Sequence, residues 1–420
     1  VVDAAPFRAL RYDAAVAGDP AATSAPAYDS FERFTYARHR TASPYTVLEL
    51  LAPRDGARYR TAGVTYERWR RTGVLRVDPE PAFLLYEEHE LRHGVPAVQR
   101  GVLAAVGLEP LDGSGAILPH EAVDPARVAD RLQRLEAVPA DITPVFALYT
   151  GGTDALRELL ARPPRAAPLV AFSDESGVDH RVWRLDAPEE IATLRAGLAS
   201  VPAVIADGHH RYATALAYRN RRPAEGAGGP EPAWARTLMY LVESGVHGPA
   251  VHAVHRLVQH WQPGAPGRIA RDFRCEEVAG GASALERALA RAEGQAFGLC
   301  LAGGVGLLLR PRDPRALAAR LPADRSSRWR SLDAAVLDHA VLPSLGARGV
   351  QARAELAAAA AEVDEGAAAA LFLLRPVTPA TVLALAAEGE RMPPKTTWFR
   401  PKPRAGLIMR TVESDGPRST

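Results

Sequence analysis

Residues 201–206, VPAVIA, run without a spacer into DGHHRYATALAYR (207–219). The first stretch is short and apolar and reads as a buried strand. The second half of the next stretch has helical periodicity. A strand that passes straight into a helix points to a layered, mixed α/β fold. The turn between them, Ala206-Asp207-Gly208-His209-His210-Arg211, is chemically dense. A glycine turn exposes backbone N–H groups, and a helix N-terminus favours an anion. Asp207 suits Mg²⁺, which takes oxygen ligands and leaves room for phosphate. The Arg211 fork suits a phosphate, His209 and His210 can donate to phosphate oxygens, and Gly208 lets the backbone approach. A simple capped helix start needs only Asp207, not two adjacent histidines and an arginine. A zinc site is the sharper rival, but neither histidine belongs to an H-x-x-x-H or H-E-x-x-H pattern. His252 and His255 stand far away in sequence.

Three other places carry candidate chemistry. Leu118-Pro119-His120-Glu121 closes an apolar run, and Glu121 there is a candidate general base. Its alternative is a capping or solvated carboxylate. The segment MPPKTTWFRPKP places Lys395, Thr396 and Lys402 between prolines, as in a rigid loop aimed at anions. The chain has 51 basic residues, and only Lys395 and Lys402 are lysines. Arginine replaces lysine imperfectly as a point-charge phosphate partner, so this confinement favours a role. His255 and Arg256 sit in an alternating run, where neighbours face opposite ways and at most one points into a site. Tyr28-Asp29 reads as a turn, and His180 and Trp183 as core or strand-face residues.

Along the chain, SPYTVLELL (43–51) reads as a turn leading into a strand, and 66–73 as a helix stopped by glycine. PAFLLYEEHE (81–90) and RGVLAAVGL (100–108) read as two strands. Residues 124–138 read as a helix with Asp124 as cap and Pro125 in its first turn. TPVFALYT, DHRVWRLD and TLMYLV read as strands, 188–200 as a helix, and VHAVHRLV (251–258) as a single strand. RPAEGAGGPEP (222–232) has loop composition. QPGAPG (262–267) is the clearest boundary, dividing the chain into an N-terminal region, 1–262, and a C-terminal α/β lobe, 263–420, that contributes the basic loop 395–402. A length of 420 residues suits two or three lobes.

Composition narrows the partners. The formal net charge is +2, and no basic stripe or helix-turn-helix stands out, which argues against nucleic acid as a partner. No apolar run reaches the roughly 18 residues a spanning helix needs, so no membrane partner is expected. VVDAAPFRALRYD lacks the layout of a signal peptide. Two cysteines, Cys275 and Cys300, form no disulfide framework or metal spacing, so a reducing cytoplasm is the expected compartment.

Taken together, PFRALRYD, APAYD, SPYTVLEL, YEEHE, ILPHEAV, ITPVFALY, DHRVWRL, IADGHHRYATALAYR, MYLVES, VHRLV, SLDAAVLDH and RMPPKTTWFRPKPRAGL resemble, in order, the family catalogued as DUF1015. That family is a branch of the ParB/sulfiredoxin-like superfamily and is similar to free-serine kinases. The resemblance implies an α+β fold with a ParB-like nucleotide-binding core, an N-terminal elaboration and the C-terminal lobe. It implies a cytoplasmic kinase that moves a phosphoryl group from ATP or ADP, with Mg²⁺, to free L-serine or a related hydroxy amino acid. Carried over, Glu121 is the base and Asp207 the essential aspartate. His209, His210 and Arg211 line the phosphates. Three positions depart from the family pattern. L-P-H-E-R-T reads Leu118-Pro119-His120-Glu121-Ala122-Val123, a common basic residue is Glu49, and F-G-L-Y reads Phe146-Ala147-Leu148-Tyr149. A non-catalytic nucleotide-binding regulator and a metal-dependent hydrolase are the other readings.

Overall fold

The computed structural model describes residues 1–27, 33–52, 59–92, 94–222 and 231–413. Tyr28 and Asp29, and most of the 222–232 loop, lie outside the described residues. The fold is mixed α+β. The chain divides into two compact units, Val1–Pro249 with Pro401–Thr420, and Ala250–Arg400. QPGAPG therefore does not mark the division. The strand His255–His260 precedes it and already pairs within the second unit, and a helix, Ala265–Asp272, starts inside it.

The first unit is built on a nine-stranded sheet. Its strands are β1 (Ala4–Ala5), β2 (Phe83–Arg92), β3 (Val95–Gly107), β4 (Ile117–Pro119), β5 (Val145–Tyr149), β6 (Val170–Ser173), β7 (Asp179–Leu185), β8 (Ala203–Asp207) and β9 (Arg236–Glu243). Their order is β4-β8-β5-β9-β3-β2-β7-β6, with β1 pairing β3. The pairs β4–β8 and β5–β9 are parallel and the others antiparallel. Alternation sorts the side chains. Phe83, Leu85, Val102, Ala104, Ala147, Ile205 and Leu241 face one core, together with Leu194 and Leu198 of the helix α3 (Pro188–Leu198). The opposite face carries Tyr86, Glu88, Gln99, Phe146, Tyr240 and His180, as the register requires.

A second core of this unit gathers Val47, Leu48, Leu50 and Leu51 around Tyr66 and Trp69 of α1 (Tyr59–Arg71). Here the expected strand at 43–51 is instead a short helix, Leu48–Leu51. A short, mostly apolar run does not distinguish the two states, and a helical turn buries Leu48, Leu50 and Leu51 together. The expected helix at 124–138 is α2 (Pro125–Ala137), and the Asp124 carboxylate accepts from Ala126 N at 2.9 Å. Among the described residues, no helix is long and apolar enough to cross a membrane.

The second unit has a six-stranded sheet and a separate two-stranded one. VHAVHRLV is split between them. Ala250–His252 pairs with Trp398–Arg400, while His255–His260 joins the larger sheet. The alanine-rich stretch forms the helix Leu356–Asp364, followed by the buried strand Ala370–Leu373.

Candidate active site

The site begins with two strand ends. β4 and β8 are parallel neighbours, with Leu118 opposite Val204 and Pro119 opposite Ile205. Residues that follow each strand therefore leave the sheet at the same edge. For β4 these are His120 and Glu121; for β8 they are Asp207, Gly208 and the helix α4 (His209–Asn220). The start of β4 is fixed by Glu109, whose carboxylate accepts from Ala116 N at 2.6 Å and Ile117 N at 3.3 Å. Tyr212 of α4 donates its hydroxyl to Glu109 O at 3.1 Å and accepts from Glu109 N at 2.8 Å.

A register shift between Ile205 and Asp207 then sets the carboxylate. Strict alternation would put Asp207 on the core face with Ile205. The bulge pairs Asp207 with Phe146 and turns it to the opposite face. Gly208 follows in a left-handed conformation at φ +102°. A Cβ there would lie 2.8 Å from the Arg211 guanidinium, so glycine serves both the turn and the close approach.

Asp207 is held by two cations. Lys402 Nζ lies 2.6 Å from one carboxylate oxygen, and Arg211 donates to the other. All three side chains are largely buried. Burial works to raise the Asp207 pKa. Lys402 and Arg211 overcome it and hold the carboxyl well below the usual carboxylate range. One anion against two cations leaves the cluster net positive, next to the turn that opens α4. Such a cluster suits an anion. It does not fit a resident divalent metal, because both oxygens of the single carboxylate are already paired. Among the described residues, no group of three or more His, Cys, Asp or Glu side chains is placed to hold a metal ion.

The two histidines act as clasps. His209 is buried, and its Nε2 accepts from the backbone N–H of His120 at 3.2 Å and of Glu121 at 3.4 Å. His210 Nε2 accepts from Asp124 N at 3.0 Å, tying α4 to the start of α2. Sequence reasoning expected these nitrogens to donate to phosphate. Here the Nε2 atoms accept instead, which requires neutral rings carrying their proton on Nδ1. His120 Nδ1 lies 2.6 Å from Ile205 O, and its ring meets the His209 ring edge-on at 4.6 Å. The Glu121 carboxylate is partly exposed and lies 4.0 Å from His120 Nε2.

Glu121, Asp207, Gly208, His209, His210, Arg211 and Lys402 thus belong to one assembly in the first unit. Four other candidates belong to the second unit. The His255 imidazole is buried, which lowers its pKa to about 4, and its Nδ1 accepts from Leu374 N at 3.2 Å. Arg256 pairs with Asp338 at 2.9 Å and donates to the carbonyls of Lys395 and Pro394 at 3.0 and 3.3 Å. Lys395 is exposed with φ +56°, and Thr396 is buried and donates to Pro393 O at 2.6 Å.

Sequence reasoning missed how Lys402 is delivered. Gln99 Nε2 donates to Pro401 O at 3.2 Å. Two residues past Lys402, Arg404 pairs with Asp174 at 3.0 Å and Glu175 at 3.2 Å. The signal was present in YEEHE, where carboxylates interrupt an apolar strand that the sheet buries.

Among solved structures, the chain is similar to a conserved hypothetical protein from Pyrococcus furiosus, at 15% identity and a TM-score of 0.35, covering 73% of this chain and 94% of that one. It is similar to a mutant free serine kinase in complex with AMP, at 14% identity and a TM-score of 0.35, covering 71% and 87%. It is also similar to SbnI with a C-terminal truncation, from Staphylococcus aureus, at 14% identity and a TM-score of 0.36, covering 75% and 90%. No curated protein matches the chain. Residues 4–335 match the family described as "Protein of unknown function (DUF1015)", and the chain belongs to that family.

Proposed function

We propose that this protein is a small-molecule kinase that transfers a phosphoryl group from ATP or ADP to the hydroxyl of free L-serine or a related hydroxy amino acid. The observation that carries the reading is the shared edge of β4 and β8. It sets the Glu121 carboxylate beside a net-positive cluster of Asp207, Lys402 and Arg211. The donor enters as its magnesium complex, the metal being part of the substrate. A ParB-like nucleotide-binding core is the fold reading that accompanies this activity.

Lys402, Arg211 and the backbone amides of the Gly208 turn bind the phosphates. Asp207 keeps the two cations apart and aimed, and offsets their mutual repulsion while the site is empty. The acceptor hydroxyl attacks the terminal phosphorus in line. The bond from that phosphorus to the bridging oxygen breaks, and its electron pair leaves with ADP or AMP. The hydroxyl proton passes to the Glu121 carboxylate. His209 fixes the backbone on which Glu121 stands. Positioning and charge neutralisation supply most of the acceleration in such transfers, which suits a site rich in cations and without an activated nucleophile.

The test is turnover of ATP and of ADP by the full chain with Mg²⁺ and a panel of hydroxy amino acids. Product nucleotide and phosphorylated acceptor are the expected result. Glu121→Gln is expected to lower kcat by about 10²-fold or more while nucleotide affinity survives. Nucleotide binding with no turnover on any acceptor, and indifference to Glu121→Gln, would replace this reading with a non-catalytic nucleotide-binding regulator.

A further inference from the structure

The sheet face that carries Asp207 also carries a buried polar group remote from the reacting atoms. Glu88 of β2 and Gln99 of β3 are directly opposite each other and both are fully buried. Gln99 Nε2 donates to Glu88 Oε2 at 2.5 Å and to Pro401 O at 3.2 Å. Pro401 precedes Lys402, whose ammonium reaches Asp207 at 2.6 Å. We infer that Glu88 is a positioning residue for Lys402, acting through Gln99 and the Pro401 carbonyl. This role rests on Lys402 serving the phosphate site proposed above.

The geometry further says which form of Glu88 does this. Oε2 is occupied by the Gln99 amide, whereas Oε1 is buried without a hydrogen-bond partner among the described residues. Its approach to His180 Nδ1 is 4.0 Å, and that nitrogen already takes part in a 2.8 Å bond with the Tyr86 hydroxyl. An ionised Oε1 would be a buried charge whose one neighbouring hydroxyl, Tyr86, is already engaged with His180, so the neutral acid is the form that the surroundings accept. In agreement, burial raises the Glu88 pKa to about 8 against the lowering effect of Gln99 and Tyr86.

The titratable and charged groups around it are Tyr86 and Glu90 on its own strand, Tyr240 on β9, His180 on β7, Asp174 in the β6–β7 turn, and Arg404. Burial pushes both tyrosines up and His180 down. Asp174 is lowered to about 2. Glu88 is therefore the group in this cluster placed to change charge between pH 7 and pH 9. Its ionisation pulls the Gln99 amide toward two charged oxygens and away from the Pro401 carbonyl. That loosens the stretch of chain that carries Lys402.

The two lysines make the test direct. Full-length protein grown with lysine labelled at Cε gives one ε-methylene signal for Lys402 and one for Lys395, distinguished by Lys402→Arg. The Lys402 signal is expected to move in a step with a midpoint near pH 8, and Glu88→Gln is expected to abolish the step. The dissociation constant for ADP, measured by calorimetry, is expected to rise roughly five-fold from pH 7 to pH 9 in the wild type and to stay level in Glu88→Gln. A Lys402 signal that is flat from pH 7 to pH 9 in the wild type overturns the positioning role and needs no variant to fold. So does a step that persists in Glu88→Gln. If ADP binds at no pH while the lysine step is present, the kinase reading fails and the positioning of Lys402 stands.

Discussion

Asp207 has two oxygens and two cations, and that stoichiometry decides what each residue change does. Lys402 and Arg211 would repel each other without the carboxylate between them, and an incoming phosphate takes up positive charge that Asp207 alone does not neutralise. Lys402→Met leaves Asp207 with Arg211, so the pair remains balanced and the fold is expected to hold. The excess positive charge disappears with the ammonium. Affinity for ADP is therefore expected to fall by about ten- to a hundred-fold, the range for a charge-assisted contact, with little change in melting temperature. Calorimetric titration beside a thermal melt checks both halves. An equal loss in Lys395→Met would mean that the second unit's exposed lysine matters as much, and the Asp207 pair would lose its special standing.

At the scale of elements, the site is the meeting of two parallel strand ends, and the histidines are what fasten them. His209 Nε2 accepts two backbone N–H groups from the turn after β4. His209→Ala orphans both. Each buried donor left unsatisfied costs about 1–3 kcal/mol, the partly buried Glu121 N–H at the low end, so stability is expected to drop by roughly 2–4 kcal/mol. Because the orphaned groups belong to His120 and Glu121, kcat is expected to fall further than nucleotide affinity does; kinetics and a denaturant melt on the same variant separate the two effects. The residues at this junction were legible in the sequence, since VPAVIA followed by DGHHR already announces strand, glycine turn and helix. Their roles were less so. Nothing in the letters HH distinguishes a donor to phosphate from an acceptor of backbone N–H, because that depends on which strand lies alongside. The bulge that turns Asp207 away from Ile205 is equally silent, being a property of pairing with β5. Elsewhere, the apolar run at 43–51 permitted either a strand or a helix, and packing against Tyr66 and Trp69 chose the helix.

For the whole chain, the decisive fact is that the first unit is not one continuous piece of sequence. It closes only when the chain returns at Pro401, and no local composition signal announces such a return. The return is anchored by Arg404, which is buried, donates to Ser24 Oγ at 3.0 Å and pairs with Asp174 and Glu175. Burial raises the pKa of both carboxylates, but hydrogen bonds from His180 to Asp174 and from His39 to Glu175, together with Arg404, bring each to about 2. A depressed carboxylate pKa contributes stability that is fully present above the unfolded value of about 4 and is lost as the pH falls from there toward about 2. Arg404→Met removes the shared cation and leaves two largely buried carboxylates short of a partner. At pH 7 this is expected to cost about 3–5 kcal/mol, reduced by whatever solvent reaches the partly exposed Glu175. As the pH falls from about 4 toward 2, the wild type loses this contribution, while the variant, whose carboxylates lack the cation, has less of it to lose, so the gap between them narrows. Urea unfolding of both proteins at pH 7, 4 and 3 measures that gap. A difference that is constant across the three would mean that Arg404 holds the returning segment by packing and its bonds to Ser24, and that the two carboxylates are indifferent to it.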